Sequence, residues 1–269
     1  MVRAVNLMDD IGTDNGCVCE HGLSFYIETP KHKLLVDTGA SDKFLKNAEK
    51  LSIDLKKVDT VILSHGHYDH GGGILSFVRI NPTAKIYIRE NALECYCHGE
   101  RYIGIDSDIG ALPQVVMVSG NLKIDEELFL YTNVTERRLW PSGNRELICK
   151  KEGKVVQDDF SHEQYLVIQG EEKSILISGC AHNGMLNILK KYENITGGVP
   201  DYVISGFHMV KKHGYKEEDF EVIIQTAEEL KKLPTKFYTG HCTGEIPYNI
   251  MKEIMGDQIQ YIHCGEPVF

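Results

Sequence analysis

Several features that would place the chain in another class of protein are missing from its sequence. No run of 18 apolar residues occurs, so we expect no membrane-spanning helix. The first ten residues, MVRAVNLMDD, lack the apolar core and cleavage site of a secretory signal peptide, which predicts a cytoplasmic protein with reduced thiols. None of the eight cysteines stands in a C-x-x-C pair, so neither a structural zinc ribbon nor a thioredoxin-like motif is supported. The formal net charge of −10 argues against broad electrostatic binding of nucleic acid.

Apolar residues make up 42% of the 269 residues, which is enough for a sizeable core. Short β-rich runs alternate with segments of helical periodicity, an order typical of an α/β or α+β protein. We predict strands at 2–8, 23–28, 33–36, 61–63, 86–90, 115–118, 128–131, 147–149, 174–177, 202–205, 236–239 and 259–263, and helices at 41–51, from 74, and at 186–192, 217–233 and 248–255.

The stretch 61–73, VILSHGHYDHGGG, carries the strongest functional signal. His65, His67, Asp69 and His70 follow directly after an apolar run that predicts a strand, so the strand delivers four potential ligands into one turn. Neutral imidazole and carboxylate suit Zn²⁺, Fe or Mn²⁺. The alternating pattern is more specific than histidine enrichment alone and predicts a metal site.

The motif HGHYDH resembles the HxHxDH signature of the metallo-β-lactamase-fold superfamily, whose members are mostly hydrolases with one or two metals between two β-sheets. This resemblance implies a four-layer αββα sandwich. It also requires an Asp-Thr-Gly after an upstream strand and two later histidines, and Asp37, His182 and His241 meet these requirements. The resemblance implies that the first metal is held by His65, His67 and His182, and the second by Asp69, His70 and His241. Asp37 would hold the neighbouring loops without binding metal.

One residue of the family pattern is missing. Family members usually carry a metal-bridging Asp after a later strand, where this chain has GFH at 206–208. His208 could be a ligand to one metal, a catalytic or substrate-contacting base, or a loop histidine that faces solvent. We favour the catalytic or substrate-binding role, because six ligands already account for two metals.

Other residues near these strand ends leave alternatives open. Cys180 is either a minor ligand candidate or a small buried hydrophobe. Cys242 is expected to point away from His241 on extended backbone and to be buried. Thr243 either receives an anionic oxygen of the substrate or belongs to a plain turn. The basic run at 211–213 is either an anion contact or a solvated loop.

More than a hundred residues separate His70 from His182, about twice what simpler members of the superfamily need. We therefore expect one metallo-β-lactamase-like domain over 1–269 that contains an inserted β-rich or α+β lid subdomain at about 90–160. Specificity commonly resides in such a lid over a rigid scaffold.

The predicted function is that of a metal-dependent hydrolase. One or two divalent metals, zinc first and manganese or iron as alternatives, would activate water for attack on an ester, phosphoester or related small substrate, with Asp69 able to accept a proton. The elements EHGLS, SGCAHNG, GFH and GHCTG resemble the subfamily named for 7,8-dihydropterin-6-methyl-4-(β-D-ribofuranosyl)aminobenzene 5′-phosphate synthase. That resemblance implies an alternative, a transferase condensing a dihydropterin diphosphate with an aryl-ribose phosphate. A non-catalytic metal-binding module is the third hypothesis, but it predicts lost ligands, and all six are present.

Overall fold

The computed structural model describes residues 2–151, 153–171 and 173–269. The strands are β1 (Arg3–Met8), β2 (Ser24–Glu28), β3 (Lys33–Val36), β4 (Thr60–Ile62), β5 (Lys85–Arg89), β6 (Cys95–His98), β7 (Arg101–Tyr102), β8 (Val115–Val118), β9 (Leu122–Lys123), β10 (Leu128–Thr132), β11 (Leu147–Lys151), β12 (Lys154–Gln157), β13 (Gln164–Gln169), β14 (Ser174–Ile177), β15 (Tyr202–Ile204), β16 (Lys236–Thr239) and β17 (Ile259–Tyr261). The helices are α1 (Lys43–Lys50), α2 (Tyr68–Gly71), α3 (Ile74–Ile80), α4 (Met185–Thr196), α5 (Glu217–Lys231) and α6 (Glu245–Met255).

Two β-sheets form the body of the molecule. The first has the order β1-β2-β3-β4-β5-β8, antiparallel from β1 to β3 and parallel from β3 to β8. The second has the order β17-β16-β15-β14-β13-β10-β9, parallel from β17 to β14 and antiparallel beyond it. Parallel neighbours need crossover connections, and helices supply most of them.

Side chains that alternate along the central strands explain the layers. In β4, Val61 packs with helices α1 and α3, while Ile62 lies in the apolar layer between the sheets. In β14, Leu176 packs with α4 and α5, while Ile177 lies in that same layer. Each such fully buried side chain contributes about 1.5–3 kcal/mol by leaving water. The result is the four-layer αββα sandwich that the resemblance implied, so the predicted fold class is confirmed.

The loops that carry the predicted site follow the carboxyl ends of parallel strands. In the first sheet, Asp37 follows β3 and the segment 65–70 follows β4. In the second sheet, the segments 180–182, 206–208 and 241–243 follow β14, β15 and β16. Parallel strands place their carboxyl ends at one edge, and open α/β sheets bind ligands in the crevice beyond such an edge.

A third sheet, with the order β12-β11-β6-β7, lies within the stretch 90–160. It has a small core of its own, made by Tyr96, Ile103, Leu147, Cys149 and Phe160. Strands β8, β9 and β10 of the same stretch instead extend the two main sheets. The sequence prediction also contains no strand at 164–169, although YLVI there is β-rich, and the structure places β13 between β10 and β14. Among the described residues, no helix has the length and apolar content needed to span a bilayer.

Candidate metal centre

Three histidines from different loops form the first part of the site. The structure brings together His65 and His67, from the loop after β4, and His182, from the loop after β14. Their ring centroids are 4.5 to 4.9 Å apart, and one nitrogen of each lies within 4.8 Å of the others. All three are buried, with exposures of 1%, 4% and 1%.

Hydrogen bonds on the far side of two rings fix their orientation. Nδ1 of His65 lies 2.9 Å from Oγ of Ser64, and Nδ1 of His182 lies 2.8 Å from Oδ1 of Asn144. The Nε2 atoms of His65, His67 and His182 are buried and have no hydrogen-bond partner among the described residues. An oxygen of Asp158 lies 3.9 Å from His67 Nε2, beyond hydrogen-bond distance.

Unpaired buried nitrogens are costly, by about 1–3 kcal/mol each, unless something binds them. Burial lowers the pKa of His65 and of His182 well below the usual value, and it lowers the pKa of His67 to about 4. The three rings are therefore neutral near pH 7, the form that binds metal. The donor set and its unpaired atoms fit a divalent metal ion of the zinc type.

The second expected ligand trio is also brought together. Oδ2 of Asp69 lies 3.4 Å from Nε2 of His241 and 3.8 Å from Nε2 of His70. Burial alone would raise the pKa of Asp69, but His70 and His241 hold it well below its usual range, so the carboxylate is ionised. Nε2 of His241 is another buried nitrogen without a hydrogen-bond partner in the described part of the chain.

Asp37 connects the loop after β3 to the histidine loop, residues 65–70. Its Oδ2 lies 2.6 Å from Nδ1 of His70, and its two oxygens accept hydrogen bonds from the N–H and hydroxyl of Ser64, both at 2.7 Å. The carboxylate thus turns Nε2 of His70 toward Asp69.

Sequence reasoning missed Asp10, His21 and Asn144. Asp10 lies 2.5 Å from Nδ1 of His241 through one oxygen and 2.7 Å from Nδ1 of His21 through the other. Nε2 of His21 in turn lies 3.3 Å from Asp69 Oδ2. Spacing gives no signal for these residues, because they come from loops far from the ligands in sequence. The only sequence hint was the EHG segment, which carried no assigned role.

His208 stands beside the first trio. Its ring centroid is 4.1 Å from that of His182, and its buried Nδ1 has no hydrogen-bond partner among the residues described. Thr243, predicted to bind substrate, is fully buried. Its hydroxyl accepts the N–H of Phe207 at 2.9 Å and contacts the hydroxyl of Thr239 at 2.5 Å. Thr243 therefore holds the loop that carries His208.

The sequence predicted that Cys242 is buried, which is correct, and that it points away from His241, which is wrong. The residue is buried, at 3% exposure. However, residues 241–243 form a single 3₁₀ turn instead of extended backbone, and His241 has a φ of +47°. Cys242 therefore does not point away. Its sulfur, the sulfur of Cys180 and a ring nitrogen of His241 lie within 4.8 Å of one another.

A cavity of about 330 Å³ opens onto these groups. Its buried wall includes His67, Asp69 and His182. Exposed basic side chains lie at its outer part, which is notable in a chain of net charge −10. They are Arg101, Arg145, Lys212 and Lys216, with the half-buried Lys211 beside them.

Part of this basic rim is neutralised by neighbouring carboxylates. Arg145 lies 3.2 Å from Glu218, and Lys211 lies 3.5 Å from Asp219. Arg101 donates a hydrogen bond to the hydroxyl of Tyr68 at 2.8 Å. No carboxylate pairs with Arg101, Lys212 or Lys216 within the described ranges, so three cations at the rim are available to an anion.

Comparison with known proteins agrees with this geometry. The family model of the metallo-β-lactamase superfamily matches residues 18–126. A 7,8-dihydropterin-6-methyl-4-(β-D-ribofuranosyl)-aminobenzene-5′-phosphate synthase of Methanocaldococcus jannaschii is 30% identical over 267 residues, covering 92% of this chain and 89% of the relative. An uncharacterised protein of the same organism is 32% identical over 234 residues, covering 84% of each. The chain belongs to the metallo-β-lactamase superfamily.

Solved structures support the same assignment. The crystal structure of Tm1679, described as a metal-dependent hydrolase of the β-lactamase superfamily, matches with a TM-score of 0.83 and 30% identity. That match covers 100% of this chain and 99% of the other. The metallo-β-lactamase fold protein YhfI of Bacillus subtilis, at 13% identity and a TM-score of 0.59, shows the shared fold alone. The predicted family is confirmed, and it is a family of metal-dependent, hydrolase-like enzymes.

Proposed function

We propose that this protein is a metal-dependent hydrolase whose substrate is a small phosphorylated molecule. The observation that carries the proposal is the set of buried, partnerless ring nitrogens of His65, His67, His182 and His241 beside a cavity with three unpaired cations at its rim. Together they fit a metal centre that receives an anionic substrate.

The first metal would be held by His65, His67 and His182, and the second by Asp69, His70 and His241. A divalent metal supplies Lewis acidity and an activated water at neutral pH. Zinc fits the imidazole-rich donors best, with manganese and iron as alternatives. Asp37, Ser64, Asn144 and Asp10 hold the outer nitrogens of the ligand rings, so the inner nitrogens face the centre.

His208 would act on the substrate. Its ring is in contact with His182, and it lines the cavity, so it can exchange a proton with a bound substrate or donate a hydrogen bond to it. Asp69 is ionised and lines the same cavity, which lets it accept a proton as well.

The third sheet and its connections, at about 90–160, would form the lid predicted from the sequence. Eight residues that line the cavity come from this stretch: His98, Arg101, Ile103, Ser142, Gly143, Arg145, Glu146 and Leu147. One of them, Arg101, is an unpaired rim cation. Substrate selection would therefore depend on this segment more than on the loops that carry the proposed metal ligands, because the rigid sheets hold those loops in place. The cytoplasmic location of the whole protein is a prediction from the sequence alone.

A second candidate function is condensation of a dihydropterin diphosphate with an aryl-ribose phosphate. The observation in its favour is the 30% identity to a protein named as such a synthase, over 92% of this chain. Both substrates are anionic, so the basic rim suits this reaction too. The two functions differ in whether water or an organic acceptor attacks the substrate and takes the place of the leaving group.

The test combines metal analysis with a substrate screen. Protein purified without added metal should contain one or two divalent ions per chain, and it should turn over one of a panel of phosphomonoesters, phosphodiesters, thioesters, lactones and pterin diphosphates. The pterin diphosphate is assayed with and without an aryl-ribose phosphate. Turnover only in the presence of the acceptor would favour the synthase, and a preparation that binds no zinc, manganese or iron would overturn both functions.

The same screen tests the rim. Lys212→Gln and Lys216→Gln should raise KM for a phosphorylated substrate by roughly tenfold and leave kcat within about twofold, because an outer contact contributes binding to ground and transition states alike. Lys190→Gln, on the exposed face of α4, is the matched control. If KM is the same in all three variants, the lysines at the outer part of the cavity do not bind the substrate.

A further inference from the structure

We propose that Cys180 is a metal ligand of this site, at the second metal position and on the side that faces the first. The inference rests on the proposed metal centre and adds an anionic sulfur to it. Cys180 follows β14 at the carboxyl edge of the second sheet, lines the cavity, and is buried at 3% exposure. Its sulfur lies 3.2 Å from Nε2 of His70.

The sulfur of Cys180 neighbours ligand candidates from both trios. It forms a group with His65 and His70, another with His182 and His208, and a third with His241 and Cys242. In each group the potential ligand atoms lie within 4.8 Å of one another. Cys180 therefore sits between the two metal positions, where an anion can interact with either cation.

The distance from sulfur to His70 matches two ligands on one ion. Zinc binds sulfur at about 2.3 Å and histidine nitrogen at about 2.0–2.1 Å, so the tetrahedral angle separates the two ligand atoms by about 3.5 Å. The observed 3.2 Å is close to that value. The partnerless Nε2 atoms of His182 and His241, both nine-tenths buried or more, belong to residues grouped with this sulfur and independently indicate a missing cation.

A thiolate at Cys180 would also supply a negative charge that this chain lacks after β15. The family pattern leads one to expect an anionic residue after β15, but the residues there are Gly206, Phe207 and His208. A thiolate from the end of the adjacent strand β14 supplies that negative charge. The approach is close, because a Cβ at Gly179 would collide with Oγ of Ser64. Glycine at 179 thus lets the loop of Cys180 reach the histidine loop.

A thiolate ligand has a consequence for metal choice. Sulfur favours zinc, iron(II) and cobalt(II), whereas magnesium and manganese favour oxygen ligands. The site should therefore bind zinc or cobalt(II) far more tightly than magnesium. If Cys180 were only a small buried apolar residue, its replacement would leave this preference unchanged.

The test is optical spectroscopy of the cobalt(II)-loaded protein. The wild type should show a sulfur-to-cobalt charge-transfer band in the near ultraviolet, Cys180→Ser should lose it, and cobalt affinity should fall at least tenfold. Cys242→Ser and Cys264→Ser should keep the band. Cys264 is the matched control, because it is buried beside Asn47 and Leu7, away from the cavity.

Each outcome is decisive. A wild type that binds cobalt without the band, or a band lost only in Cys242→Ser, overturns the assignment of Cys180 and leaves the metal centre standing. A wild type that binds neither cobalt nor zinc overturns the metal centre itself. If Cys180→Ser does not fold, X-ray absorption of the zinc-loaded wild type and of Cys242→Ser decides: sulfur at about 2.3 Å must appear in both.

Discussion

Single ring nitrogens determine what this site can hold. Each outer nitrogen of four candidate ligands is held by a neighbouring polar group, which fixes the tautomer and leaves the inner nitrogen directed at the centre. Such contacts orient ligands without touching the metal, so their loss should weaken binding without abolishing it. The pairs are His65 with Ser64, His70 with Asp37, His182 with Asn144, and His241 with Asp10.

A pair of variants separates ligands from their supports. His67→Ala removes a buried ring whose Nε2 has no other partner within the described residues, so it should abolish metal binding at the first position together with activity. Asp37→Ala should leave binding in place but weaken it by about 10- to 100-fold, the usual loss for a supporting contact. The measurement is metal content per chain after dialysis against defined free zinc. Undiminished zinc in His67→Ala would refute the ligand assignment.

His208 is tested by measuring metal and rate on one preparation. His208→Ala should keep the full metal complement while turnover falls by roughly 10²- to 10⁴-fold, because a proton-transferring or substrate-contacting group is lost and no ligand is. His263→Ala, at a half-buried histidine outside the cavity, is the control. Loss of metal would show that His208 is a ligand. A normal metal content together with a normal turnover rate would show that His208 takes no part in the reaction.

At the scale of elements, residues that the structure brings together could be predicted from the sequence where the signal is local. The histidine loop, residues 65–70, could be predicted because four potential ligands follow one buried strand, β4, within six residues. Asp10, His21 and Asn144 could not, because only the packing of distant loops brings them to the site. The direction of Cys242 was misjudged, because residues 241–243 form a 3₁₀ turn and His241 has a positive φ, and the alternation of side chains expected for extended backbone reveals neither.

The third sheet reaches the candidate metal site through the turn just before β11. The amide of Asn144 donates to the carbonyl of His182 at 2.7 Å, and its oxygen lies 2.8 Å from the ring Nδ1. Asn144→Ala should therefore reduce zinc affinity by about 10- to 100-fold. Val155→Ala, on exposed β12 of the same sheet, should leave it unchanged. Zinc titration checks both, and equal affinities would show that the sheet does not support the site.

At the scale of the whole molecule, side-chain contacts link the two main sheets at the end opposite the loops that carry the proposed ligands. His32, in the turn between β2 and β3, lies 2.8 Å from Asp59 before β4 and 2.5 Å from Asp125 between β9 and β10. The first sheet and the second are thus linked through one imidazole. Lys31 adds an ion pair with Glu126 at 2.8 Å. This link is far from the proposed ligands, so it reports on stability without involving metal.

The link through His32 predicts a pH dependence of stability. Partial burial lowers the pKa of His32, but Asp59 and Asp125 outweigh it, so the folded-state pKa is raised above the unfolded value of about 6.5. A raised histidine pKa adds stability that is fully present below the unfolded value and lost as pH rises through the folded value. The stability difference between wild type and His32→Gln, from urea unfolding, should be largest between pH about 5 and about 6.5, shrink as pH rises from there to the folded pKa, and be lost above it. Because the group is partly exposed, added salt should reduce it as well.

Comparing two proteins at each pH removes the contribution of metal release, since the proposed ligands are the same in both. Asp125→Asn removes a partner and keeps the imidazole, so it should flatten the pH dependence while His32 remains in place. A stability difference that is constant from pH about 5 to about 8.5 would show that the pKa of His32 is the same in the folded and the unfolded protein. Asp59 and Asp125 would then not stabilise the charged imidazole, and the ion pair assigned to this link would be wrong.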